Sequence, residues 1–161
     1  MRGAYLGPEF TQEETERRLN HCGARFSVLA EDELINATVD ALVEEKAVGG
    51  MRGRMEFGPR ALGNRSILGD PRSPTMQKML NLKVKYRESF RPFAPSVLRE
   101  DVNKWFDIDG DSPYMLLIAP VQSQHRRQIS AEGEALFGIE KLNVLRSSIP
   151  AVTHVDYSAR V

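Results

Sequence analysis

The chain has 161 residues with 22 Lys plus Arg against 22 Asp plus Glu, and 41% of it is hydrophobic. Those proportions fit a single folded domain over 1–161 and exclude a disordered or fibrous chain. One cysteine, Cys22, excludes an internal disulfide, and neither a membrane-spanning apolar run nor a signal-type apolar N-terminus is present, so a cytoplasmic location without membrane contact is expected.

Thr11-Gln-Glu-Glu14 has the form of a capping box and predicts a helix to about Cys22, closed by Gly23. Residues 31–46 predict a second helix with Leu34, Ala37, Ala41 and Leu42 on one face and three acids at its positive end. Ala47–Met51 reads as a short buried strand and Ser66–Leu68 as another. Ser73-Pro74 predicts a helix from Pro74 to about Val84. Pro92 and Pro95 make residues 92–98 extended. Asp101–Phe106 supplies one or two helical turns, with Trp105-Phe106 as core. Tyr114–Ala119 is the plainest buried strand, residues 122–130 are a polar loop, Ser130 opens a short helix, and Pro150–Val155 is a final strand. Strands interleave with helices, which makes the fold class α/β.

The zero net charge conceals a basic middle. Residues 52–99 hold 11 basic and 3 acidic side chains, a local net of +8, while both flanks are acidic. Arg outnumbers Lys there, which suits planar, bidentate partners such as phosphate or carboxylate. Two constellations stand out. In Gly53–Ser66, arginines at 54, 60 and 65 are strung between glycines that let backbone approach a ligand. Gly58 to Gly63 has P-loop spacing, but Asn64-Arg65 stands where Lys-Ser/Thr is required, so it is not a Walker A motif. Glu56 is expected to orient a guanidinium. In Lys83–Pro95, an extended reading puts Lys85, Arg87 and Arg91 on one side, a face for a phosphate-sized dianion. The bland alternatives are an Arg-rich turn tied down by carbonyls and a cation-guarded sheet edge.

Residues 53–68, Gly-Arg-Met-Glu-Phe-Gly-Pro-Arg-Ala-Leu-Gly-Asn-Arg-Ser-Ile-Leu, resemble the signature of the carbamoyltransferase C-terminal domain of the NodU/CmcH O-carbamoyltransferase family. Gly7-Pro8-Glu9, Arg91–Pro95, Ser112–Met115 and Ile149–Asp156 extend the likeness in the family's order. The resemblance implies a YrdC-like twisted mixed sheet with flanking helices that binds carbamoyl phosphate and ATP. It further implies formation of carbamoyl-adenylate, with transfer to a sugar hydroxyl, of the nodulation-factor type, by a Kae1-like N-terminal domain that lies outside this chain. By the same resemblance Lys85, Arg87 and Arg60 would be catalytic, and Arg54, Arg65, Arg91, Ser158 and Arg160 would bind substrate or nucleotide. Magnesium would arrive with the ATP, and the family's own metal site would lie in the Kae1-like domain. Two departures are visible: Tyr157 stands where the family usually has Gly, and Gly50-Met51-Arg52 replaces an aromatic-and-Gln stretch.

The rival readings are an RNA-binding YrdC-like module and a non-catalytic fragment. Sparse aromatics and acidic flanks speak against nucleic acid. His21, His125 and His154 share no metal-ligand spacing and read as structural, with His154 beside Asp156 the most interesting. Cys22 is expected to be a small buried residue, and Arg126 and Arg127 lie outside both basic motifs.

Overall fold

Residues 2–161 are described by a computed structural model in which the chain divides into two units after Leu68. In the first unit, helix α1 (Gln12–His21) starts where Thr11 Oγ1 accepts the Glu14 N–H at 3.2 Å. Only half of the expected box forms, because the Glu14 carboxylate turns to Arg18 at 2.8 Å. Helix α2 (Glu31–Val43) uses the other half, with the Glu33 carboxylate accepting the Ala30 N–H at 3.1 Å. No residue of either helix is buried. Of the face expected to point inward, only Ala41 and Leu42 are half-buried, and Leu34 is 56% exposed. Cys22 is also exposed, contrary to expectation, since its place at the end of α1 lets Sγ reach the Arg18 carbonyl at 2.9 Å.

Strands β1 (Val48–Met51) and β2 (Arg65–Leu68) pair antiparallel, Val48 opposite Leu68 and Met51 opposite Arg65. The Arg-rich motif is therefore the long loop of a hairpin. Its front edge is clamped by the N-terminal segment: Gly7 N–H donates to the Met55 carbonyl at 2.9 Å, Met55 N–H to Pro8 at 2.9 Å, and Phe57 N–H to Ala4 at 2.7 Å. The approach at Gly7 requires glycine, because a Cβ there would stand 2.8 Å from the Met55 carbonyl oxygen and 2.9 Å from its Cβ.

The second unit holds the larger cores. Helix α3 (Met76–Met79) begins where the buried Ser73 hydroxyl accepts the Thr75 and Met76 N–H groups at 3.2 Å, and it continues as a π-helix over Leu80–Val84. Met76 and Leu80 pack with Ala151. A 3-10 turn at Arg99–Asp101 leads into α4 (Val102–Trp105), whose end delivers Phe106 to a core with Ala119, Val121, Ile149, Val152 and Ala159. Trp105 stacks on His125 with centroids 4.0 Å apart, and His125 Nε2 lies 3.0 Å from the Lys104 carbonyl, the structural role expected for that histidine. Strands β3 (Ile118–Pro120) and β4 (Ser158–Arg160) pair antiparallel, and Ser130 caps α5 (Ala131–Ala135) by accepting the Gly133 N–H at 3.2 Å.

The α/β class holds, with the strands joined as two antiparallel ribbons. Two strand expectations are corrected. Tyr114–Leu117 is not strand: Met115 takes a left-handed φ of 54°, and Leu116 and Ile118 are 67% and 60% exposed. Residues 150–155 are buried in part but form turns, with Val152 and Thr153 donating to Ile149 and Pro150, so the closing strand moves on to Ser158–Arg160.

Gly7→Ala should lower the stability of the chain by about 1–3 kcal/mol, the usual cost of forced overpacking against backbone. Thermal and urea unfolding check this, and an unchanged midpoint would remove the clamp from the account.

Candidate functional site

Each basic loop is organised by one buried polar side chain. In the hairpin loop that side chain is Glu56, only 2% exposed. Its Oε2 accepts the Leu62 N–H and its Oε1 the Asn64 N–H, both at 2.9 Å. A buried carboxylate is costly unless it is satisfied, and these two amides supply that satisfaction. Arg65 Nε lies 3.7 Å from Glu56 Oε2, so the expected orientation of a guanidinium is present, though the backbone bonds are the tighter ones. Arg65 also donates through one terminal nitrogen to the carbonyls of Gly58 and Arg60. Asn64 Nδ2 donates to the Arg54 carbonyl at 2.8 Å, and the Ser66 hydroxyl accepts the Gly63 N–H at 2.9 Å. Gly58 and Gly63, with φ of 143° and 121°, supply the turns.

The three arginines of this loop consequently differ. Arg65 is half-buried and spent on holding the loop. Arg54 faces Glu9 at 3.9 Å on the surface. Arg60 is exposed, and among the described residues its guanidinium has no hydrogen-bond or ion-pair partner.

In the second unit the organiser is Asn81, fully buried at 0% exposure. Its Nδ2 donates to the carbonyls of Ser89 (3.1 Å) and Arg91 (2.8 Å), and its Oδ1 accepts Arg87 Nε at 2.6 Å. Gln77 Nε2 adds bonds of 3.3 Å to the Phe90 and Arg91 carbonyls. This loop is not the extended segment expected. Lys83 lies within the π-helix, Lys85 caps it in helical conformation, and Tyr86 turns left-handed at φ 48°. Period-two alternation therefore does not place the cations. The helix end does: Lys85 projects into solvent without a side-chain partner among the described residues, while Arg87 folds inward over the Phe93 ring at 5.1 Å. Arg91 meets Glu88 at 3.1 Å, an exposed pair worth little.

Ser158 and Arg160 sit on β4. The buried Ser158 hydroxyl donates to Asp156 Oδ1 at 2.6 Å, and its own N–H reaches the same oxygen at 3.0 Å. His154 Nδ1 lies 3.0 Å from that hydroxyl. Because the serine proton is committed to the carboxylate, His154 must be the donor in that contact, which fixes the Nδ1–H tautomer and leaves Nε2 a buried bare acceptor. Burial, aided by Arg160 and opposed by Asp156, holds the His154 pKa below its ordinary value, and the Ser158 hydrogen bonds hold Asp156 below the usual carboxylate range.

Sequence reasoning singled out the cations of both loops but missed Asn81 and Gln77. The one available signal was an Asn placed mid-helix next to apolar Leu80, where a residue that competes with helical hydrogen bonding is otherwise poorly placed.

These loops fall inside a match to the carbamoyltransferase C-terminus family over residues 39–161, and the chain belongs to that family. It is 53% identical over its full length to an uncharacterised protein of Synechocystis sp., covering 26% of that protein. The nodulation protein NolO of Bradyrhizobium diazoefficiens is 37% identical over 98% of the chain, again with 26% of the relative covered. The 3'-hydroxymethylcephem-O-carbamoyltransferase of Streptomyces clavuligerus is 38% identical over 77% of the chain and 19% of the relative. The chain thus spans about a quarter or less of the length of these curated relatives.

Glu56→Gln replaces one acceptor oxygen by a donor facing an amide, and should cost about 1–3 kcal/mol of stability, whereas Arg60→Ala should change it by no more than about 0.5 kcal/mol. Chemical denaturation of the two variants checks the contrast, which disappears if Glu56 is a surface ornament.

The depressed His154 pKa gives a pH prediction. The unfolded chain takes up a proton near the ordinary histidine value of 6.5, while the folded chain resists until lower pH. Stability should therefore fall as pH drops below that value, and His154→Gln should flatten this part of the profile. Asp156, whose folded pKa is lowered, withdraws its own stabilisation only at pH near and below its ordinary 3.8, well separated from the histidine. Unfolding curves from pH 8 to pH 5 (on the order of the histidine range) test the sign.

Proposed function

We propose that the chain is the carbamoyl-phosphate- and ATP-binding part of an O-carbamoyltransferase. In this reading water cleaves carbamoyl phosphate, taking the phosphoryl group as inorganic phosphate and leaving carbamate. A carbamate oxygen then attacks the α-phosphorus of ATP, and pyrophosphate leaves as carbamoyl-adenylate forms. An acceptor hydroxyl then attacks the carbamoyl carbon, AMP leaves with its bridging oxygen and the hydroxyl proton is released; the sugar of a nodulation-type signal is our proposal for that acceptor. The observation that carries the reading is the pair of buried braces. Glu56 fixes one loop and Asn81 the other, so that Arg60 in the first and Lys85 in the second each project without a side-chain partner among the described residues, and each is positive charge held in place of the kind phosphoryl chemistry requires.

Within this reading Arg87 contributes its terminal nitrogens to a phosphate from a stem fixed by Asn81, and Arg91 exchanges its exposed Glu88 partner for the ligand. Arg54 can do the same with Glu9, while Arg65 acts through the loop it holds. Ser158 is a positioning residue whose hydroxyl is engaged by Asp156, and Arg160 on the same strand faces the nucleotide. Magnesium would arrive with the ATP phosphates.

Transfer to the acceptor is assigned to a Kae1-like domain of a longer protein. The relatives' greater length supports this, as does α2, which exposes Ile35, Val39 and Val43 at helical spacing along one face. No helix is long and apolar enough to cross a membrane among the described residues.

Calorimetric titration of carbamoyl phosphate and ATP tests the reading. Ala at Lys85, Arg87, Arg91 or Arg60 should weaken binding by at least about 1.5 kcal/mol each, and Arg91→Lys should restore it only in part. Equal, small losses at all four positions would mean diffuse electrostatics. Tight binding of tRNA with a steep salt slope, in place of the small ligands, would favour an RNA-binding module instead.

A further inference from the structure

We propose that an open cavity of about 600 Å³ in the Gly69–Val161 unit is a second oxyanion site, formed by Arg126, Arg127 and Tyr157. Neither basic motif contributes to it. Ser123, Gln128 and Glu134 supply the rest of its polar wall.

The cavity wall carries two arginines against one carboxylate. Among the described residues neither Arg126 nor Arg127 forms an ion pair, and Glu134 lies on the wall without pairing to either. Arg146 is 4% exposed, and among the described residues its guanidinium donates only to the carbonyls of Val144 (2.9 Å) and Lys141 (2.6 Å). Its Nε is buried without a partner. The Arg127 N–H donates to the Arg146 carbonyl at 2.7 Å, so the buried cation and the cavity share one stretch of backbone pairing. The net positive charge of the wall has an anion as its complement.

The arginines are also held for use. Arg126 Nε donates to the Val121 carbonyl at 2.7 Å, and residue 126 bridges Ser147, which fixes the stem and leaves both terminal nitrogens free for a planar two-oxygen ligand. The Arg126 guanidinium lies 5.5 Å from the Tyr157 ring centroid. Tyr157 itself adopts a left-handed φ of 63°, a conformation that costs energy for any residue but glycine. The turn of His154, Asp156 and Ser158 imposes that backbone, with Tyr157 N–H donating to the His154 carbonyl at 3.1 Å. A tyrosine kept where glycine fits better is explained if its ring is the wall that orients Arg126 toward a bound ligand. The ligand class is a small molecule bearing a phosphate or carboxylate group.

The test uses a Lys85→Ala/Arg91→Ala background, so that the result does not depend on the carbamoyl phosphate reading. Inorganic pyrophosphate and malonate are titrated separately into it by calorimetry. At least one should bind, and the one that binds identifies phosphate or carboxylate as the natural group. Adding Arg126→Ala and Arg127→Ala should weaken that binding at least about tenfold. Tyr157→Gly should weaken it too while leaving the melting temperature unchanged or higher, because glycine suits the backbone there. Binding of neither anion, or binding that survives loss of both arginines, would overturn the site.

Discussion

Two hydrogen bonds to one buried carboxylate govern the conformation of the long loop between β1 and β2. Glu56 has left solvent, and the amides of Leu62 and Asn64 are what replace its hydration. Once those amides are fixed, Gly58 and Gly63 have little freedom in where they turn, Arg65 finds its carbonyls, and Arg60 is carried to the outside. Asn81 repeats the device in the second unit with a neutral side chain: one amide group bonds two carbonyls, and its oxygen takes Arg87. In both loops a small number of well-satisfied buried polar groups decides which cations are tied into the loop and which stay exposed.

That division accounts for side chains that composition alone would treat alike. Arg65 and Arg60 are five residues apart in one motif, yet the first is a brace and the second is free. Arg87 is intermediate, with its Nε committed to Asn81, its plane over Phe93 and its terminal nitrogens available. Preorganisation of this kind matters most where a ligand brings charge that solvent would otherwise stabilise, because the loop then need not reorganise as the phosphate arrives.

Much of this was legible in the sequence because it rests on local rules. The Thr11 and Ser130 hydroxyls cap their helices as residue type and spacing require, and strands β1 and β2 followed from short apolar runs, although β1 is only half-buried and leaves Met51 exposed. The basic surplus of residues 52–99 pointed to both loops. What was not legible depended on tertiary partners. Tyr114–Leu117 has strand composition, but β3 begins only at Ile118, where Arg160 stands opposite. The 83–95 segment looked extended because its cations alternate, but a π-helical end and the left-handed Tyr86 break that alternation. Asn81 carries no motif; its importance lies in carbonyls eight and ten residues away. Arg126 and Arg127 likewise looked incidental until the loop that holds them was seen to close a cavity with Tyr157.

The claim most in need of measurement is that bracing, and not the mere count of cations, makes the anion site. Asn81→Ala leaves every Lys and Arg in place while releasing Arg87 and the carbonyls of Ser89 and Arg91. Carbamoyl phosphate affinity should be measured for this variant by calorimetry, at a temperature where its unfolding curve shows it folded. The account predicts a loss of about tenfold or more, the consequence of a freed guanidinium and a loosened loop. Affinity equal to that of the parent chain would contradict it, and would leave net charge as the whole explanation of binding.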